Sequence, residues 1–416
     1  MTAPLSPPPR KDPQRRTPVP LRPPAPRSRA AHALSAWAAR GVVALQHCPR
    51  CSAVCYPPRD ACPSCLDTAL RFRPVDPHGR VVARTLVRTS IDPYFRARTP
   101  WLVATVRLPA GVSVIAHLHG DVGPETDAPV RLLARLDRLG HAAFVAVPPE
   151  DTPFMHDDPA LREFSAHPRL RRCLVTDARG PLGQAVVRKL LDAGAAHVFA
   201  GVREDWKPFA GRDALKDARV SIVPLDVTDT RSVAELAGEI GGKTDILVNT
   251  ARHQRPGTIT GSGIAAAQDA MDVNALGLLR LAQAFGPAMA ARAADGVNDA
   301  VAFASFVHVS ALAAGGGWQG AAYAPFDASQ AAALSTLRAL RRELPGIRVL
   351  SVFAGALDDE WAAEVPPPKL APPRAARVLV DALVAGQEEA FAGDIAQDLL
   401  RRLHDDPGAL HKELAS

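Results

Sequence analysis

Cys48, Cys51, Cys62 and Cys65 form a C-x2-C-x10-C-x2-C array, and Cys55 and Cys173 are the other two cysteines of the 416-residue chain. Each close pair fits one tight turn that points both sulfurs the same way. Two such turns supply the tetrahedral thiolate shell that Zn2+ favours. The other readings of these residues are two disulfides, or cysteines packed as small apolar side chains. Disulfides need an oxidising compartment, and nothing at the N-terminus directs the chain to one. Four sulfurs close the shell and leave no position for substrate, so the expected ion holds structure and does no chemistry.

The elements around this array read as a short helix over residues 31–44, with Leu34, Trp37 and Val42 or Val43 on one side, then strands. Five apolar, alternating runs occupy 81–87, 101–108, 112–119, 130–136 and 142–147. Turn formers such as Asp92-Pro93, Pro109-Ala110-Gly111 and Gly120-Asp121 separate them. Five short strands in so little chain predict a small Greek-key barrel of the OB type. Residues 149–170, rich in Pro, Asp and His, read as a linker. From 171 onward strands alternate with helices: 173–176, 197–202, 220–225, 246–249, 303–310 and 347–353 are the strands. Leu182, Val186, Val187, Leu190 and Leu191 mark the first helical face. That alternation predicts a doubly wound, Rossmann-like parallel sheet. The expected division is a tail over 1–30, the ribbon and barrel over 31–148, the linker, the α/β domain over 171–400 and a C-terminal tail over 401–416.

Charge narrows the functional classes. Residues 1–30 hold seven Lys or Arg against one acid, and the rest of the chain holds 42 bases and 42 acids. The formal charge of +6 thus belongs to the tail, which also carries ten of the 39 prolines and cannot bury a core. A neutral body, with no ladder of paired aromatics on the barrel strands, argues against a nucleic-acid partner. No apolar run reaches the ~18 residues needed to cross a membrane. The tail lacks the apolar stretch of a secretory signal, so a cytoplasmic location is expected.

Two resemblances follow from particular residues. Cys48-Pro49-Arg50-Cys51, Tyr56-Pro57-Pro58-Arg59 and Cys62-Pro63-Ser64-Cys65, followed by strands that start at Gly79, resemble the acyl-CoA-associated zinc-ribbon/OB-fold family over about 31–148. That likeness implies an accessory subunit, bacterial in type, working with a thiolase or thiolase-like enzyme on a CoA thioester.

Residues 171–395 resemble the short-chain dehydrogenase/reductase family. On that resemblance Asp226 corresponds to the adenine-contacting aspartate and Asn249 opens a variant of Asn-Asn-Ala-Gly, here Asn249-Thr250-Ala251-Arg252. Asn274 matches the helix asparagine of the catalytic tetrad. NADP(H) is the cofactor so implied, with Arg179, Gly180, Gly183, Arg203, Asp226 and Asn249 as its contacts. The phosphate loop departs from Gly-x-x-x-Gly-x-Gly, since it reads Asp177-Ala178-Arg179-Gly180-Pro181-Leu182-Gly183. Asp177 sets a carboxylate where a pyrophosphate would lie, and Pro181 removes a donor.

The family's Tyr-x-Ala-Ser-Lys falls on Phe326-Asp327-Ala328-Ser329-Gln330, and its strand serine on Ala311. Phenylalanine has no proton to give and glutamine no charge with which to lower a phenol's pKa. A second register pairs Tyr323 with Ser310, beside Asn274, again without a lysine. The leading expectation is therefore a thiolase-associated accessory protein whose dehydrogenase-like domain is a pseudoenzyme serving as scaffold, nucleotide binder or homo-oligomer surface. The alternative is an atypical NADP-dependent oxidoreductase of a 3-oxoacyl-CoA or similar carbonyl.

Overall fold

The computed structural model describes residues 23–24, 28–96, 98–294, 301–308, 323–344 and 346–414. The chain divides into two compact units that meet in sequence at His167 and Pro168.

In the first unit, helix α1 (Arg29–Ala38) starts at Ser28, whose side chain caps Ala31 N–H, and it buries Leu34 and Ala38. It stops short of the 31–44 expected, because Gly41 adopts φ +72° and the chain turns into a strand at Ala44. Strands β1 (Ala44–His47), β2 (Val54–Cys55) and β3 (Arg71–Pro74) form a three-stranded antiparallel sheet in the order β2-β1-β3. Strand β4 (His78–Val87), helix α2 (Pro93–Arg96), and strands β5 (Trp101–Arg107), β6 (Ser113–Leu118), β7 (Pro129–Leu136) and β8 (Ala142–Val147) follow. The five strands close a barrel in the order β4-β5-β6-β8-β7, with β6 and β8 parallel and the other pairs antiparallel. Alternation fills it: Val114, Ala116 and Leu118 of β6 and Val130, Leu132, Ala134 and Leu136 of β7 point inward. This is the OB-type barrel that the turn spacing predicts.

The segment 149–170, expected as a linker, is folded. Helix α3 (Pro159–Arg162) is capped by Asp158, and Met155, Leu161 and Phe164 bury against Val145 and Val147. Asp158 supplies the cap, and Met155, Leu161 and Phe164 share one contact while Phe154 stays exposed.

The second unit is a seven-stranded parallel sheet. Its strands are β9 (Arg172–Val175), β10 (His197–Val202), β11 (Val220–Pro224), β12 (Ile246–Asn249), β13 (Val301–His308), β14 (Ile347–Ala354) and β15 (Glu389–Ala392). Their order is β11-β10-β9-β12-β13-β14-β15. The order reverses between β9 and β12, and clefts in such sheets open at that switch, beyond the carboxyl ends of the strands. Helices α4 (Pro181–Asp192), α5 (Thr230–Ile240), α6 (Ile264–Met271), α7 (Gly277–Ala294), α8 (Ala324–Glu343) and α9 (Pro372–Ala385) cover it.

Helices α10 (Asp394–Asp405) and α11 (Pro407–Leu414) occupy what was expected as a C-terminal tail. Leu399 and Leu410 join the same core as Phe285, Leu337 and Phe353, so the end of the chain is anchored by burial. The interior also holds charged groups, among them Arg292 of α7, which meets Asp245, the residue just before β12.

Candidate functional site

The four cysteines converge. Their sulfurs all lie within 4.8 Å of one another, with Cys48 Sγ 3.5 Å from Cys65 Sγ and Cys51 Sγ 3.5 Å from Cys62 Sγ. Zn–S bonds of about 2.3 Å place tetrahedral sulfurs about 3.8 Å apart, so the cage fits that ion. No disulfide joins any of the six cysteines in the structure.

Two matching turns build the cage. Ser52 N–H bonds to Cys48 O at 3.0 Å and Leu66 N–H to Cys62 O at 2.9 Å. Ser52 and Leu66 both take left-handed φ, +58° and +61°. The N–H of Ser64, helped by that of Cys65, draws the Cys62 thiol down to about 6, towards the thiolate that binds metal. Between the pairs, the buried Gln46 amide donates to Arg59 O at 2.9 Å and accepts from Arg59 N–H at 2.7 Å. Gln46 thereby fixes the Tyr56-Pro57-Pro58-Arg59 turn. Sequence reasoning gave it no role, for a glutamine in a strand carries no signal until its partner is known.

At the switch point of the second unit, the loop from β9 to α4 carries the residues expected around a dinucleotide. Gly183 is required by packing, since a Cβ there would stand 2.3 Å from Asp177 O. Gly180 is the N-cap of α4 and Pro181 its first residue. Asp177 is held at φ +45°, a conformation glycine adopts without strain. Its Oδ2 lies only 3.4 Å from where a Gly180 Cβ would be, so the carboxylate stands over the start of α4. Burial pushes the Asp177 carboxyl up to about 7. Arg252 and Arg179 oppose the rise, while Glu360 and Asp359 add to it.

The other expected contacts are engaged by the protein itself. Arg203 Nε pairs with Asp226 Oδ2 at 2.8 Å, so the two residues assigned to the adenosine end hold each other. Asp226 Oδ1 also accepts from Thr228 N–H and Oγ1 at 2.9 and 2.6 Å. Arg179 lies 3.8 Å from Glu204. Asn249 Oδ1 accepts from Thr176 Oγ1 at 2.7 Å, and that hydroxyl accepts from Thr250 N–H at 2.9 Å, which ties the ends of β9 and β12 together.

Arg252 is the residue that sequence reading passed over. Its Nη2 donates to both oxygens of Asp359, at 2.8 and 2.6 Å, and the pair is almost wholly buried. Asp359 also caps a 3-10 turn, Glu360–Ala362, by accepting Trp361 N–H at 3.1 Å. The Trp361 ring lies 5.4 Å from His253 and 5.3 Å under Arg255. The segment that leaves β14 at Leu357 and returns beside it at Leu370 is therefore fastened to the β12 loop. A signal existed in the arginine that replaces the last glycine of the motif, but its partner lies 107 residues away.

On α8, Phe326 and Gln330 are buried one turn apart, at the positions expected for tyrosine and lysine. Ser329, between them, donates to Phe326 O at 2.6 Å and accepts from Asn274 Nδ2 at 2.8 Å. Asn274 lies in a π-helical stretch, Asp272–Leu276, and exchanges two hydrogen bonds with the backbone of His253, at 2.8 and 2.9 Å. Tyr323, just before α8, packs with Phe326, Ala356, Ala362 and Val365, and burial raises its phenol above the ordinary value, with Glu364 adding. Ser310 and Ala311 lie outside the described residues. Among the described residues no helix is long and apolar enough to cross a membrane.

Comparisons with known proteins agree with this anatomy. Residues 178–390 match the family model described as enoyl-(acyl carrier protein) reductase. Residues 38–71 match the ChsH2 rubredoxin-like zinc ribbon domain and 72–135 the ChsH2 C-terminal OB-fold domain. An uncharacterized oxidoreductase of Staphylococcus aureus is 28% identical over 199 residues, which cover 47% of this chain and 81% of the relative. One of Staphylococcus haemolyticus is 28% identical over 193 residues, 45% of this chain and 78% of its own. A short-chain dehydrogenase from Burkholderia cenocepacia, solved in complex with NADP, is 32% identical with a TM-score of 0.52, and the match covers 59% of this chain and 98% of that one.

Proposed function

Since residues 178–390 make the chain a member of the enoyl-(acyl carrier protein) reductase family, of short-chain dehydrogenase fold, we propose an accessory protein in which that fold no longer reduces. The zinc ribbon and OB-fold barrel attach it to a thiolase or thiolase-like enzyme and help hold the CoA thioester. The dehydrogenase-like unit is scaffold, or a pairing surface for a second copy. Zn2+ on Cys48, Cys51, Cys62 and Cys65 is structural and would fix the two turns of the ribbon. The location that goes with CoA thioester chemistry and reduced cysteines is the cytoplasm.

One observation carries the reading. Phe326 and Gln330 sit buried where a phenol and an ammonium would be needed, so that stretch of α8 offers neither a proton nor a charge to a carbonyl. The matches to ChsH2 ribbon and OB-fold domains support the accessory half. To test it, the chain is purified alone and with a thiolase encoded beside it, and complex formation is followed by light scattering on a sizing column. Co-elution at a fixed ratio, lost when the ribbon cysteines are replaced, is expected. Two independent peaks at micromolar concentrations would overturn the reading.

A second reading rests on Tyr323, a buried phenol next to Phe326, together with the NADP carried by the Burkholderia cenocepacia relative. Here Tyr323 donates the proton, Ser310 and Asn274 assist, and the substrate is a 3-oxoacyl-CoA or similar carbonyl. NADPH oxidation with acetoacetyl-CoA, abolished in Tyr323→Phe, would establish it against the first.

A further inference from the structure

The cleft at the switch point does not fit a dinucleotide as it stands, and the misfit is organised. In short-chain dehydrogenase folds the first loop leaves room for a diphosphate at the start of its helix. Here Asp177 fills that position from a left-handed backbone conformation. Opposite it, Arg252 is clasped by Asp359, and Arg252 Nε is buried with no hydrogen-bond partner among the described residues. The charged groups that bear most on Asp177 are Arg252 from the β12 loop, Glu360 and Asp359 from the segment after β14, and Arg179 from its own loop. Around Asp177, itself included, three carboxylates thus stand against two guanidiniums, a balance that repels a diphosphate.

We propose that Arg252, Asp359 and Asp177 form an internal charge latch that stands in place of the diphosphate, fastens the 357–370 segment over the cleft and shuts dinucleotide out. Asp359 acts as the chain's own anion for Arg252. Asp177 occupies the helix start with a second one. A diphosphate can enter only by displacing Asp359 from Arg252 while Asp177 is neutral, because an ionised Asp177 would lie against it. This goes beyond the loss of the proton relay, for a domain without catalysis need not have lost its ligand.

The probe is NADPH, with binding followed by the cofactor's fluorescence and by calorimetry, without any turnover. Asn serves at both acidic positions, because it still accepts the Trp361 N–H at 359 and tolerates positive φ at 177. Wild type at pH 8 is expected not to saturate. At pH 6, where Asp177 takes up its proton, binding should tighten about tenfold. The Asp177→Asn/Asp359→Asn double variant should bind at least about tenfold more tightly than wild type at pH 8 and lose the pH dependence. Arg252→Gly, which opens the latch from its other side, and Asp359→Asn should each speed amide exchange over 357–370. Equal binding by wild type and the double variant at pH 8, or unchanged exchange in both single variants, overturns the latch. Reductase turnover would sink the scaffold reading and leave these outcomes as they are, so the two ideas fail separately.

Discussion

Asn274 is the residue on which structural and catalytic readings of the cleft differ most. Its side chain accepts from His253 N–H at 2.8 Å and donates to His253 O at 2.9 Å and to Ser329 Oγ at 2.8 Å. These bonds join the β12 loop, the π-helical turn and α8. Asn274→Ala would remove all of them at a buried site. At about 1 kcal/mol net for each bond, the loss is about 3 kcal/mol, and more if His253 finds no water. For a unit of this size each kcal/mol moves Tm by about 2–4 °C, so a fall of about 6–12 °C is expected in scanning calorimetry. Asn274→Asp keeps the acceptor for His253 N–H but replaces the donor to His253 O by a carboxylate oxygen at a buried site, and should also lower Tm. A drop in Tm below about 2 °C for Asn274→Ala would refute the reasoning, because three buried bonds cannot vanish at so small a cost.

Metal analysis of the purified chain should return one zinc per chain, and Cys62→Ser, which removes one corner of the cage, should lose it to a mild chelator within minutes. Gln46→Leu removes both bonds to the Arg59 backbone and should weaken the ribbon by about 2 kcal/mol, read as faster zinc release. The Asp177 carboxyl is raised from 3.8 to about 7 in the fold, so the folded state holds the extra proton between those values. Its contribution therefore falls as pH rises through that window and is flat above it. The second unit should melt higher at pH 6 than at pH 8, and Asp177→Asn should flatten that difference in a melting series. Arg292→Ala strands the buried Asp245, which also accepts Arg172 N–H at 2.8 Å, and should cost about 3–5 kcal/mol in urea unfolding.

The amino-acid sequence by itself determined the metal cage, the barrel and the doubly wound sheet, because each is written in local rules. Two C-x2-C turns, period-two apolar strands and alternating strand and helix all act over a few residues. The matching left-handed turns at Ser52 and Leu66 bear out how little long-range help the ribbon needs. That Phe326 and Gln330 share one helix was legible for the same reason, and the structure buries both on it. Segments 149–170 and 401–416 were not legible. Their few apolar residues, such as Phe164 and Leu410, become informative only when the surface that buries them exists.

Charge pairing was decided by tertiary structure alone. Arg203 and Asp226, both expected among the dinucleotide contacts, pair with each other, while Arg252 and Asp359 meet across 107 residues of sequence. Coulomb attraction falls off with distance in space and takes no account of distance along the chain. The partners of a guanidinium are therefore set only once the sheet has brought its strand ends together.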